Sequence, residues 1–148
     1  MIVLTSRCMF LVLLCIAFSA CVATRDPDVS AYLKYKAADA GNGSFTSLPD
    51  DEKTRVFFGA MKVHPPSLSI EDELAKQDLA YLLELKAVIE DRGGSYEAYS
   101  FIAAIAQKQR NGQLTQQQVD AMHLDTFCVQ RGDMNNLCRN LLMDLPRS

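Results

Sequence analysis

The sequence predicts an all-α protein: a compact bundle of about five or six short helices with one disulfide across a C-terminal helical hairpin. Three observations carry this. Apolar residues recur at helical spacing, most clearly from Ile70 to Ile89. Helix start and stop residues punctuate the chain at short intervals, which favours antiparallel neighbours. No stretch alternates with the period of two that a half-buried strand requires.

A first, weakly patterned helix is expected from Asp28 to Ala40, with Tyr32, Leu33 and Tyr35 as its apolar side, stopped by Gly41-Asn42-Gly43-Ser44. A second starts near Pro49, since proline suits a first turn and Asp50, Asp51 and Glu52 suit the positive helix end. Val56, Phe57, Ala60 and Met61 form its apolar face, and His64-Pro65-Pro66 ends it. The third is expected to be long and central. Ser69 and Asp72 resemble a capping box, and Ile70, Leu74, Tyr81, Leu82, Leu85, Val88 and Ile89 share one side, widened by Leu79 and Leu83. Arg92 and Gly93-Gly94 close it.

Ser95 then caps a fourth helix, Tyr96 to Arg110, whose Ala103, Ala104 and Ala106 permit close packing beside Phe101, Ile102 and Ile105; Asn111-Gly112 ends it. The fifth has two agreeing start signals. Thr115 and Gln118 form a capping box, and Leu114 with Val119 fits a hydrophobic staple. It should reach Gln130. Gly132 breaks it, Asp133 caps a sixth helix, and Pro146 ends that one.

The chain has 148 residues, 15 basic and 18 acidic, for a net charge of −3. That balance argues against nucleic-acid binding. Residues 1–20 carry one charged side chain, Arg7, and the run from Cys8 to Ala20 carries none. A positive start, a short apolar core and small residues before a cut describe a cleaved signal peptide. The run is shorter than the roughly 20 apolar residues a membrane span needs.

Phe18-Ser19-Ala20-Cys21 resembles the lipobox of bacterial lipoproteins, with Phe18 where leucine is usual. The resemblance covers only the leader. It implies cleavage before Cys21 and acylation of that cysteine, with residues 21–28 as a tether and 29–148 as a single helical domain. Val22, where aspartate would favour inner-membrane retention, is similar to the pattern of outer-membrane sorting. The expected location is therefore the bacterial envelope, on the outer membrane and facing the periplasm. The alternative is a general signal-peptidase cut after Ala23, with secretion. Either cut leaves one cysteine pair, Cys128 and Cys138, among the five cysteines. In an oxidising compartment this pair reads as a disulfide. A metal site would need about four ligands, and only His123 is near in sequence; redox pairs usually stand two residues apart.

Other motifs have ordinary explanations. Arg131-Gly132-Asp133 between the cysteines resembles the adhesive loop of disintegrin-type integrin ligands, but a helix stop and an N-cap explain Gly132 and Asp133. Asn42-Gly43-Ser44 is a glycosylation sequon only in a eukaryotic secretory pathway. The two histidines, His64 and His123, lie in no recognised catalytic, zinc or phosphate motif. His64 reads as a loop residue and His123 as a packed or half-exposed helix residue. No catalytic residue, metal or cofactor is expected.

From Pro49 to Asp91 ten acids face five bases. Asp50, Asp51 and Glu52, with Glu71, Asp72 and Glu73, are the candidate partner-binding residues, although the helix dipole and a solvated face account for acids at helix starts. The implied role is binding rather than chemistry: a membrane attachment through acyl chains, and an unidentified envelope or toxin protein as partner, with inhibition or immunity as the concrete form. The alternatives are an assembly accessory of an envelope complex and, further off, a secreted adhesion ligand using the Arg131-Gly132-Asp133 loop.

Overall fold

The computed structural model describes residues 26–39, 44–66, 68–130, 136–143 and 145, and all regular structure among them is helical. The leader with Cys21, the Gly41-Asn42-Gly43 stop and its sequon, the Arg131-Gly132-Asp133 loop with its cap, and Pro146 lie outside the described residues.

Helix α1 (Pro27–Asp39) opens on a proline, whose missing N–H is not needed in a first turn. Asp26 caps it, its Oδ1 accepting the N–H of Asp28 at 2.9 Å and of Val29 at 3.3 Å. The helix thus begins inside the stretch assigned to the tether, and Asp28 is buried. A short 3₁₀ turn (Phe45–Ser47) seats Phe45 in the core, edge-on to Tyr35. Helix α2 (Asp50–Val63) follows Pro49, which takes the extended cap position just before the first turn. It ends at His64, as the following prolines require.

The helix expected to run unbroken from Ser69 to Arg92 is two helices, α3 (Leu68–Ala75) and α4 (Leu79–Arg92). Asp78 makes the break. Its backbone is extended (φ −74°, ψ 165°) and its side chain accepts the Tyr81 N–H at 2.8 Å, which caps α4. Gln77 closes the end of α3 by donating to the Glu73 carbonyl at 3.1 Å. Because α3 starts at Leu68, Ser69 sits in its first turn rather than before it. The apolar side survives the break: Ile70, Leu74, Tyr81, Leu82, Leu85 and Ile89 are all buried. Leu83 on α4 and Leu33 on α1 face outward, 46% and 38% exposed, so the buried stripes are narrower than the apolar pattern predicts.

Helix α5 (Ser95–Arg110) is capped by Gly94 rather than Ser95, with the Gly94 N–H donating to Glu97 Oε2 at 2.9 Å. It stops at Asn111 and Gly112, whose φ of +72° suits glycine. The capping box of Thr115 and Gln118 forms as predicted and starts α6 (Gln116–Asp120). Leu114 and Val119 are both buried, as a staple requires. The expected fifth helix then divides. His123 takes a left-handed conformation (φ +50°), and α7 (Leu124–Gln130) begins anew after it. With α8 (Leu137–Met143), the two divisions turn six expected helices into eight described ones.

The central helix is α5, not the leucine-rich stretch before it. Ala98, Phe101, Ile102, Ala104, Ile105 and Ala106 are buried on different sides of it. A helix apolar most of the way round belongs in the interior, and α5 touches α2, α3, α4, α6, α7 and α8. Its small residues let those neighbours approach; its Phe101 packs edge-on against Phe127 of α7 at 5.7 Å between ring centres. The disulfide joins Cys128 of α7 to Cys138 of α8, with Cα atoms 5.6 Å apart and both residues buried. Closing so short a loop contributes roughly 2–3 kcal/mol, chiefly by restricting the unfolded chain.

At the other end, α1 crosses α2 at Gly59. A Cβ there would stand 2.1 Å from the Asp28 carbonyl oxygen and 2.7 Å from Tyr32 Cβ. Glycine, not alanine, is therefore what permits this approach, although glycine inside a helix costs about 1 kcal/mol of propensity. We expect Gly59→Ala to destabilise the fold by about 1–3 kcal/mol, since overpacking against backbone outweighs the propensity gain. Urea denaturation measures it; a variant as stable as the parent would contradict the crossing.

Candidate functional site

The site grows from the start of two helices lying side by side. Pro49 sets the entry to α2 and places Asp50, Asp51 and Glu52 in its first turn, beside the positive helix end. Lys53 turns back to Asp50, 2.8 Å from Oδ1, while the Thr54 hydroxyl donates to the Asp50 carbonyl at 2.9 Å. On α4 the Asp78 cap fixes the first turn and with it Tyr81. Lys53 Nζ stands 4.9 Å from the centre of the Tyr81 ring, a cation over an aromatic face.

Between the helices runs an open groove of about 380 Å³, lined on the α2 side by Asp50, Asp51, Thr54 and Arg55 and on the α4 side by Tyr81, Glu84, Val88 and Arg92. Arg92 marks its far end. Its NH1 donates to the buried carboxylate of Asp28 at 3.0 Å, and its guanidinium lies 3.9 Å from the centre of the Phe58 ring. Arg92 is thus committed to α1 and α2. Glu84 is exposed and forms no ion pair among the described residues. Tyr81 is 4% exposed, and its buried hydroxyl lies beside Thr54 without forming a well-aligned hydrogen bond to it. Leaving such a group unpaired costs about 1–3 kcal/mol. Burial pushes the phenol up to about 12, with Thr54 opposing the shift and the Asp50 charge adding to it. The phenol therefore keeps its proton at neutral pH.

The two acidic triads part company. Asp50 and Asp51 line the groove; Glu52 turns toward α1, 3.8 Å from Lys34 Nζ, beside a second shallow groove. Asp72 lines a separate groove with Arg110 and Leu141, and Glu73 pairs with Lys76. Glu71 is withdrawn from solvent, 4% exposed, and accepts the Ser100 hydroxyl at 3.1 Å. It serves the α3–α5 contact rather than an exposed acidic face. Tyr81 and Glu84 were not predicted as site residues. Tyr81 read as part of the apolar stripe, and the available signal was that a tyrosine in a core needs a partner for its hydroxyl.

His64 is the exposed C-cap of α2, its ring edge-on to Tyr32 at 6.4 Å. His123 is exposed at the break between α6 and α7, not packed on a helix as expected. Neither lines the four grooves that the acids border. Among the described residues, no group of three or more His, Cys, Asp and Glu could hold a metal ion, and no helix is long and apolar enough to cross a membrane. No family model, curated protein or solved structure matches the chain.

Burial holds the Glu71 carboxyl above the usual 4.5; the Ser100 hydroxyl partly opposes this and the Asp72 charge adds to it. A raised folded value means that the folded state keeps its proton longer than the unfolded chain. The contribution of Glu71 to stability is then full below the unfolded value and falls as pH rises through the folded one. Glu71→Gln stays neutral and keeps an acceptor for Ser100. We expect it to stabilise the fold at neutral pH, with the advantage vanishing in acid. Denaturation midpoints of parent and variant across pH test this, and a difference independent of pH would refute it.

Proposed function

We propose that this chain is an exported, lipid-anchored envelope protein that binds another protein, as an inhibitor or immunity factor against a toxin delivered to the periplasm. The observation that carries the binding role is the acidic start of α2, which borders an open groove between two helices. Charges held on packed helices lose little freedom when a partner docks, and complementary fields steer association.

Export draws support from two ends of the chain. At the start, the lipobox-like Phe18 to Cys21 supplies the address. At the other end, the Cys128–Cys138 disulfide suits an oxidising space. Acylation at Cys21 would add about 0.8 kcal/mol of membrane affinity per buried methylene, and more than one chain makes attachment stable. Asp26 stands five positions after Cys21; at roughly 3.5 Å per step, the domain would stand within about 18 Å of its anchor.

Intact-mass measurement of the protein from bacterial envelopes tests the anchor. The expected species starts at Cys21 with added acyl mass, lost in Cys21→Ser; an unmodified chain starting at Thr24 would reject lipidation. Affinity capture from envelope extracts and from neighbouring-gene products tests the binding role, and no specific partner in either would reject it. Gene deletion sorts the form of that role: sensitivity to a competitor alone supports immunity, whereas loss of barrier integrity would replace it with an assembly function.

A further inference from the structure

We infer that α3 is a pH-gated flap, closed on α5 while the Glu71 carboxyl is protonated and opening ahead of the rest of the fold once that carboxyl ionises. The geometry makes α3 the separable element. It is eight residues long, with Pro65-Pro66 before it and the Asp78 cap of α4 after it. A helix of that length does not persist in water without packing. It packs chiefly on α5, and a cleft flanks it on each side. One, of about 490 Å³, is lined by Asp72 of α3 and by Arg110 of α5. The other, of about 110 Å³, is lined by Glu73 of α3 and by Lys36 of α1. What holds α3 is therefore the side between the clefts, where Ile70, Leu74 and Ala75 are buried.

Glu71 lies within that hold, and its partners are few. It accepts the Ser100 hydroxyl, which is shared with the Met61 sulfur. No ion pair reaches Glu71 among the described residues. The charges around it do not compensate. Asp72 on the same helix repels it. Tyr99 and Arg110 of α5 border its cleft without bonding to it, and Lys36 borders the opposite cleft beside Glu73. The positive start of α3 favours the ionised form, but burial outweighs it and holds the carboxyl above its ordinary value. Protonated, the carboxyl can donate as well as accept and carries no charge. Ionised, it is a buried charge with one shared hydroxyl, and lifting α3 returns it to water. Closure is thus favoured below the open-state value and weakens as pH rises through the closed-state one. Opening uncovers Ile70, Leu74 and Ser100, which the closed helix hides.

The test is amide hydrogen exchange of the purified protein, residue by residue, from mildly acidic to neutral pH, with rates corrected for the intrinsic pH dependence of exchange. Local opening gives the α3 amides less protection than those of the α5 core. The expected result is that protection at Asp72 to Ala75 falls as pH rises, while protection at Phe101 to Ile105 does not fall with it. Glu71→Gln should remove the pH trend in α3 and raise its protection at neutral pH about fivefold, the lower end of the cost of a poorly satisfied buried polar group. The parent's own pH series carries the claim even if that variant folds badly. Protection in α3 that moves in step with α5 would show that α3 opens only with the whole fold, and would overturn the flap. Protection in α3 that is indifferent to pH, or a Glu71→Gln variant that keeps the parent's trend, would overturn the gate.

Discussion

The structure depends on the point where α1 meets α2. The Asp28 carbonyl rests against Gly59, and no side chain fits between them. The same contact buries the Asp28 carboxylate, which must then be compensated. Lys62 from α2 reaches it at 2.9 Å and Arg92 from α4 at 3.0 Å. A buried carboxylate without such partners is costly, while the full set ties three helices to one atom group. Lys62 also contacts Asp26, the α1 cap, at 2.7 Å, so the start of α1 and its docking share one cation. The Lys62–Asp26 bond is the main cause that holds Lys62 above and Asp26 below their ordinary values, with Asp28 adding to the rise at Lys62.

That constraint reaches the candidate site through Arg92. Drawn toward Asp28 and laid over Phe58, it holds the end of α4 beside α2. The Asp78 cap holds the start of the same helix. The groove lies between α2 and α4, which meet at one end where Lys53 stands over Tyr81 and at the other where Arg92 lies over Phe58. The opposite half of the molecule is organised by α5 and closed by the Cys128–Cys138 link. Between the halves, Ser100 of α5 donates toward both Glu71 of α3 and Met61 of α2, at 3.1 and 3.2 Å. A hydroxyl and a carboxylate buried together in this way fix register among helices that apolar contacts alone would leave free to slide.

Local chemistry was the legible part of the sequence. Thr115 and Gln118 announce a cap because the two groups that satisfy each other stand three residues apart. The prolines after His64 stop α2 whatever its surroundings, and the two cysteines pair as their spacing and number suggested. The breaks at Asp78 and His123 were hidden for a physical reason. Ile70 to Ile89 keeps its buried side across the first break, so periodicity could not reveal it; only the capping ability of Asp78 did. Centrality was misjudged because leucine content suggested the stretch that became α4, whereas close packing on many sides rewards the small residues of α5. The site was half visible. Acids at a helix start are read from the sequence directly, but the pairing of Asp51 with Tyr81 and Glu84 exists only once Arg92 has brought α4 against α2.

Asp28 and Arg92 act as one tie between α1 and α4. A double-mutant cycle with Asp28→Asn and Arg92→Gln, read by urea denaturation, tests it most directly. The two losses should fall short of adding, with a coupling of about 1 kcal/mol, within the range for residues in one ionic network. Losses that add to within error would show that the two residues act independently and that no such tie exists.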